Sequence, residues 1–293
     1  MGKPDYIAPQ TVDEALETLA KQSSGAKIIA GGTDLLPRMR SGIMNPALLV
    51  DLCRLPLNHI EIKSGWLHIG ARVTHSEILG SELLAVHCPA LVEAAKAIAG
   101  PPIRNRGTIG GNIINASPAA DLAPPLLVYD AIVLLVKADA ERVVPLAELF
   151  IGPGRTILSS DEILTEIRVP LPPPDTASNF VKLGKRRAMA IAVASAATRL
   201  TLDGDGIIFL ARVALGSLAP KPMRSIGAES LLQGKAPGME IFTEAARVAS
   251  LESSPITDLR ASAEYRKKMV AVLVRRSLDA TWGQLGMENQ CRK

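Results

Sequence analysis

Apolar positions recur along the chain with two periods, and the changes of period divide it. Between residues 12 and 19, Val12, Ala15, Leu16 and Leu19 share one helical face, and Thr11 with Glu14 is spaced as a capping box at its start. The apolar run 27–30 predicts a buried strand and 47–52 the next, and a helix combined with these strands predicts a small parallel unit ending near residue 52. From 58 to 170 short strands alternate with helical inserts. Residues 59–63 and 67–71 alternate around Ser64-Gly65, the pattern of an antiparallel hairpin. Thr74 and Glu77 form a second capping box, and an Ala-rich helix over 89–99 stops at Gly100-Pro101-Pro102. Residues 131–138 and 163–169 are apolar enough for buried strands of one sheet. Leu171-Pro172-Pro173-Pro174 cannot pair inside a sheet and predicts a linker.

Beyond that linker the order of patterns reverses. Two strand patterns, 191–202 and 207–218, flank the turn sequence Asp203-Gly204-Asp205-Gly206. Helical patterns follow at 225–232, 239–253 and 262–285, the last placing Tyr265, Met269, Leu273 and Leu278 on one stripe. Strands first and helices after predict an α+β fold rather than a doubly wound sheet. The expected organisation is a first domain over 1–174, built from parts 1–55 and 56–174, a second over 175–286, and a flexible tail over 287–293.

Composition narrows the function classes. A chain of 293 residues, 47% of them hydrophobic, supplies two compact domains with cores. Aromatics make up only 3%, which leaves few stacking platforms and argues against single-stranded nucleic acid as a ligand. The formal charge is +4, with 33 basic residues scattered among 29 acids, so the charges read as a solvated surface rather than a polyanion-binding face. No run of about eighteen apolar residues occurs, and Met1-Gly2-Lys3-Pro4-Asp5 opens no secretory segment; the expectation is a cytoplasmic protein without a membrane span. The three cysteines, Cys53, Cys88 and Cys291, have no paired spacing. An iron–sulfur cluster needs four protein ligands, usually cysteines, so this chain alone is not expected to hold one.

The candidate chemistry lies in two glycine segments. The first is Ile28-Ile29-Ala30-Gly31-Gly32-Thr33-Asp34-Leu35; the second runs Gly107-Thr108-Ile109-Gly110-Gly111-Asn112-Ile113-Ile114-Asn115 and on to Asp121. Loops without side-chain bulk let consecutive N–H groups converge on an anion, and two such loops can hold a diphosphate from two sides. Neither carries the Lys of a Walker-type loop, and no Gly-x-Gly-x-x-Gly follows a strand, so backbone dipoles are expected to do most of the holding. Thr33, Thr108 and Asn112 add side-chain hydrogen bonds. Asp34, negative beside a diphosphate, is expected to cap the following turn or point away. Asp121 is either a hydrogen-bond acceptor for hydroxyls or the N-cap of the helix that follows. His59, His68, His75 and His87 form no spaced ligand set, and no metal is expected. Lys182, Lys185, Arg186 and Arg187 read either as a solvated strand end or as a functional cluster.

This pair of motifs, in this order, resembles the FAD-binding subunit of the molybdenum hydroxylases, the group of xanthine dehydrogenase, carbon monoxide dehydrogenase and 4-hydroxybenzoyl-CoA reductase. The resemblance extends through Leu67-His68-Ile69-Gly70-Ala71, Thr74-His75-Ser76-Glu77-Ile78, the Lys182 to Arg187 cluster and Ser262-Ala263-Glu264-Tyr265-Arg266. It implies a two-part FAD-binding domain of the PCMH/vanillyl-alcohol-oxidase type followed by a smaller α+β domain. It also implies that residues 28–35 and 108–112 wrap the FAD pyrophosphate, that Asp121 serves the ribose and adenine end, and that Ile191 lies nearest the flavin ring. Relatives reading Arg, two residues, Asp, Ile depart from this chain, where Ala190 stands in place of the acid. The flavin subunit of 4-hydroxybenzoyl-CoA reductase carries a cysteine-rich insertion for an extra cluster after the second motif; here Asn112 to Asp121 contains no cysteine. The implied partners are a small [2Fe-2S] subunit and a large molybdopterin subunit, with NAD or a quinone as final acceptor, in a heterotrimer that such systems can double. A stand-alone flavoprotein oxidase and a non-catalytic nucleotide-binding module remain open on sequence alone.

Overall fold

The computed structural model describes residues 3–22, 25–186 and 188–291. The first part comprises β1 (Asp5–Ile7), α1 (Val12–Lys21), β2 (Ala26–Ile29), α2 (Leu35–Arg40) and β3 (Leu48–Asp51). Its strands form a parallel sheet in the order β1-β3-β2. Thr11 caps α1 by accepting from the Glu14 N–H, and Ala15, Leu16 and Leu19 are buried against β3. The Glu14 carboxylate reaches the Gln10 N–H rather than that of Thr11, so the box closes one residue early.

The second part follows as β4 (Ile60–Lys63), β5 (Trp66–Gly70), α3 (His75–Gly80), α4 (Glu82–His87), α5 (Pro89–Ala97), α6 (Pro101–Arg104), α7 (Ile109–Ile114), α8 (Ala123–Val128), β6 (Ile132–Lys137), β7 (Ala140–Pro145), α9 (Leu146–Leu149), β8 (Phe150–Gly152), β9 (Arg155–Thr156) and β10 (Ile163–Pro170). Five of these strands make an antiparallel sheet in the order β4-β5-β10-β6-β7. The β4–β5 turn places Ser64 at φ 51° and Gly65 at φ 80°, the backbone that a two-residue hairpin requires. The Thr74–Glu77 capping box is complete in both directions. The inner face of the sheet, with Leu67, Ile69, Val133, Leu135, Ile167 and Val169 buried, packs beneath the helices in the largest core cluster.

After the proline segment come β11 (Thr176–Leu183), β12 (Ala194–Leu202), β13 (Ile208–Gly216), β14 (Met223–Arg224), α10 (Ile226–Leu232), α11 (Met239–Glu252) and α12 (Ala263–Cys291). Their four-stranded antiparallel sheet is covered by the three helices around a second core. Asp203 closes the β12–β13 turn by accepting from the N–H groups of Asp205 and Ile207. On α12, Leu273 and Leu278 are buried as the stripe requires, while Tyr265 is half-exposed; Arg266, one residue on, is buried in its place. The helix continues past Leu285 to Cys291, and 292 and 293 of the expected tail lie outside the described residues. No helix among the described residues is long and apolar enough to cross a membrane.

Candidate functional site

β2 ends at Ile29 and delivers the first glycine segment to a cleft of roughly 380 Å³ between the two N-terminal parts. Ile28 through Leu35 all line it, and Thr108, Gly110, Gly111 and Asn112 line it from the opposite side. Ile109 is fully buried behind the wall. Asp121 and Ile191 do not border this cleft.

The two segments differ in how their backbone is used. Gly32 has φ 70°, the left-handed region that glycine enters at no steric cost. Among the described residues, no backbone hydrogen bond uses the N–H of Gly31, Gly32, Thr33 or Asp34. This is the open row of donors an anion requires. The second segment is a helical turn rather than a loop. Thr108 is the N-cap of α7 and accepts from the Gly111 N–H at 3.1 Å. The N–H groups of Ile109, Gly110 and Asn112 go to the carbonyls of Val73, Ala71 and Thr108. The expected second nest is therefore corrected: its four consecutive donors are already satisfied. What this side offers a ligand is side chain, since the Thr108 hydroxyl retains its proton for donation and Asn112 Oδ1 is buried without a partner.

The glycines also hold the segments together. A Cβ on Gly31 would stand 1.9 Å from the Arg106 carbonyl oxygen, and one on Gly110 would stand 2.7 Å from that of Ala71. A Cβ on Gly111 would meet nothing closer than Thr108 Oγ1 at 3.0 Å, and this glycine faces the cleft. Steric need thus accounts for Gly31 and Gly110 through the protein itself, and for Gly111 through the open space it borders.

Several cleft residues were not anticipated. His75, the first residue of α3, is buried, lines the cleft and leaves Nδ1 without a partner. Burial, with Arg104 nearby adding to it, pulls its pKa down to about 4, so its imidazole is neutral at physiological pH. The backbone N–H of His75 donates to the Gly107 carbonyl, and Thr74 bridges Thr108 across the same seam. The Thr74–Glu77 box was the available signal. Lys27 and Arg38 border the cleft as cations, although neither glycine pair contains one. Asp34 makes no side-chain cap to α2; it lies 3.4 Å from Arg38 on an exposed surface.

Asp121 does not cap α8, whose N-cap is Leu122. Its carboxylate is buried and accepts from Lys182 Nζ at 2.6 Å. The solvated reading of the basic cluster therefore fails at Lys182. Lys185 donates to the Leu259 carbonyl and Arg186 to that of Met189, while Arg187 lies outside the described residues. Ile191 is half-exposed on the loop before β12. The histidines His59 and His68 approach Glu166 on the outer sheet face, the latter by a direct hydrogen bond.

A phosphate-sized donor row, orphaned polar atoms at His75 and Asn112 and an open wall at Gly111 fit a nucleotide cofactor held mainly at its diphosphate. Residues 2–172 match the family described as FAD binding domain in molybdopterin dehydrogenase, and 179–281 match the CO dehydrogenase flavoprotein C-terminal domain. The class is thus an FAD-binding subunit of an oxidoreductase. The chain is 36% identical over 281 residues to the carbon monoxide dehydrogenase medium chain of Hydrogenophaga pseudoflava, covering 96% of this chain and 97% of that one. It is 33% identical to the nicotine 6-hydroxylase medium subunit of Paenarthrobacter nicotinovorans, covering 93% and 95%. The solved carbon monoxide dehydrogenase of H. pseudoflava lacking the Mo-pyranopterin moiety superposes with TM-score 0.93 at 35% identity, covering 96% of this chain and 98% of that one. Quinoline 2-oxidoreductase from Pseudomonas putida 86 gives 0.91 at 27% identity, covering 97% and 98%. The chain belongs to the FAD-binding medium subunits of the molybdenum hydroxylase family.

Proposed function

We propose that this chain takes electrons from [2Fe-2S] clusters on a small partner subunit into FAD, and passes them to an external acceptor such as NAD or a quinone. A large partner subunit then carries the molybdopterin at which substrate is oxidised, and the assembly works in the cytoplasm. The observation that carries this reading is the convergence of both glycine segments on one cleft in a chain that matches medium subunits along nearly its whole length. FAD supplies the redox chemistry when bound; the protein's part is to hold and orient it. In this reading the free N–H groups of residues 31–34 hold the diphosphate, helped by the hydroxyls of Thr33 and Thr108 and the amide of Asn112. Asp121 accepts from hydroxyls of the cofactor, and the ring extends toward Ile191 in the second domain, which begins near residue 175.

The test is to reconstitute the three-subunit complex and mix it anaerobically with candidate substrates while following flavin absorbance. Bleaching in the complex and none in this subunit alone is expected. Equal bleaching by the lone chain would overturn the electron-relay reading in favour of a stand-alone oxidase.

A further inference from the structure

The segment Ser262-Ala263-Glu264-Tyr265-Arg266 opens α12 and borders no part of the cleft, yet its arginine is only 3% exposed. Burying a guanidinium is costly unless its N–H groups are used, so its partners show what the burial serves. Arg266 Nη1 donates to the Val193 carbonyl at 2.8 Å and to the Ser217 carbonyl at 3.1 Å, and Nη2 donates to Asp258 Oδ1 at 2.6 Å. These acceptors stand on three connections: the loop from β11 to β12, the turn after β13 and the loop before α12. The connections also bind one another. Ser217 Oγ donates to the Ala192 carbonyl at 3.1 Å, and Lys185 Nζ donates to the Leu259 carbonyl at 2.6 Å. Asp258 accepts from the N–H groups of Arg260 and Ala261, which fixes the last loop from within. Two contacts tie this frame to the first domain. The Ser217 N–H donates to the Pro118 carbonyl at 2.7 Å, and a Cβ on Gly100 would stand 3.8 Å from the Met189 sulfur. Gly100 caps α6, and the chain just beyond α6 carries the Arg106 carbonyl on which Gly31 packs. Residues 189 to 191 contribute little packing of their own: Met189 and Ile191 are 59% and 54% exposed. Met189 also has φ 53°, a left-handed backbone that a non-glycine residue keeps only where its surroundings hold it.

We propose that Arg266 is a positioning residue for the flavin ring: anchored by Asp258, it holds the segment 189–193 from behind, so that Ile191 lies against the ring. This rests on the FAD reading above, in which the ring extends toward Ile191, and adds to it a residue from the first turn of the last helix. Ligand space adjoins the segment, because the side chains of Met189 and Ile191 are open on their outer side. The fork of a guanidinium has fixed directions, so Arg266 sets the carbonyls of Val193 and Ser217 and the Asp258 carboxylate in one arrangement; an ammonium is a single point of charge and fixes less. The diphosphate grip does not depend on this frame, since the open N–H groups of residues 31–34 belong to the first domain. The consequence is a separation of effects: loosening Arg266 frees the ring while the diphosphate stays bound.

The experiment loads the full chain with FAD and measures how readily iodide quenches the flavin fluorescence, beside urea unfolding of the same samples. Wild type is expected to shield its ring relative to free FAD. Arg266→Met should still saturate with FAD, while its quenching constant rises several-fold toward the free value. Arg266→Lys should fall between the two. Asp258→Asn keeps an acceptor for the N–H groups of Arg260 and Ala261 but loses the charged partner of Arg266, and a smaller rise is expected. The control is Leu278→Ala, a cavity in the buried core further along the same helix: it should lower stability and leave quenching at the wild-type value. Wild-type quenching in Arg266→Met, or a rise in Leu278→Ala equal to that in Arg266→Met, overturns the proposal, because the residue then acts through stability alone. If Arg266→Met does not fold, Arg266→Lys and Asp258→Asn decide: a rise in both supports the proposal and wild-type values in both overturn it. Failure of wild type to bind FAD would overturn the cofactor reading itself, and this inference with it.

Discussion

The two glycine segments look alike as strings of residues but do different work. In the first, Gly31 packs on the Arg106 carbonyl and Gly32 turns the chain left-handed, leaving a row of N–H groups open to the cleft. In the second, every N–H from Ile109 to Asn112 is engaged, two of them by carbonyls of the segment just after β5. One segment is a donor surface; the other is a buttress that holds it in place and contributes side chains. Glycine therefore signals close approach in both, but the approaching group is protein at Gly31 and Gly110 and open space at Gly111.

The largest expected effect breaks the docking of the segments. Gly31→Ala puts a methyl into the Arg106 carbonyl, where neither backbone can yield cheaply. A loss of about 3 kcal/mol of stability is expected, together with loss of flavin, read by urea unfolding and extraction. A variant of near wild-type stability would contradict the packing role.

Next is Gly111→Val, which separates ligand space from packing. The branched side chain enters the cleft and disturbs the Thr108 cap, a change worth about 1 kcal/mol in stability. Flavin retention should be abolished while circular dichroism stays native. Retention equal to wild type would show that Gly111 does not border the cofactor.

A third test concerns His75, held neutral where the two segments meet. Its folded pKa near 4 lies below the ordinary 6.5, so between these values the unfolded chain binds more protons and stability rises with pH. The stabilising effect is complete above about 6.5 and is lost as pH falls toward 4. Asp121, raised to about 6 from 3.8, has the opposite slope, since its folded form binds the extra proton. In denaturant unfolding of the flavin-free chain, His75→Asn should gain relative stability on acidification, by up to about 3 kcal/mol between pH 6.5 and 4. A stability difference that does not change with pH would show that the imidazole is not held neutral by burial.

The smallest effect is at the cleft rim. Asp34 and Arg38 are both substantially exposed, so Asp34→Asn should change stability by less than about 0.5 kcal/mol. It should leave FAD binding equal or slightly tighter, because a negative charge is removed beside a diphosphate. A marked loss of affinity on titration would give Asp34 a direct role.

Much of this was legible in the residues because it rests on local periodicity. The α1 face, the β4–β5 hairpin, the Thr74 box and the Asp203 turn are all settled within a few residues of chain. Strands lacking that signal were missed. β1 is three exposed residues, β7 alternates poorly around Glu141 and Arg142, and β11 buries Ser178 and Asn179, polar residues whose partners lie on other elements. The cleft was legible as two motifs but not as a donor map, because the fate of the second set of N–H groups depends on carbonyls at 71 and 73. Lys182 was obscured in the same way: in sequence it belongs to a basic cluster, and only the fold sets it against Asp121.

The most direct measurement is a comparative titration of the flavin-free chain with FAD and with FMN, because the account assigns the cleft to a diphosphate gripped by the first segment. FAD should saturate one site per chain at least about tenfold more tightly than FMN, which lacks the second phosphate and the groups beyond it. Equal affinity for the two, or recovery of FMN alone from the native protein, would contradict it.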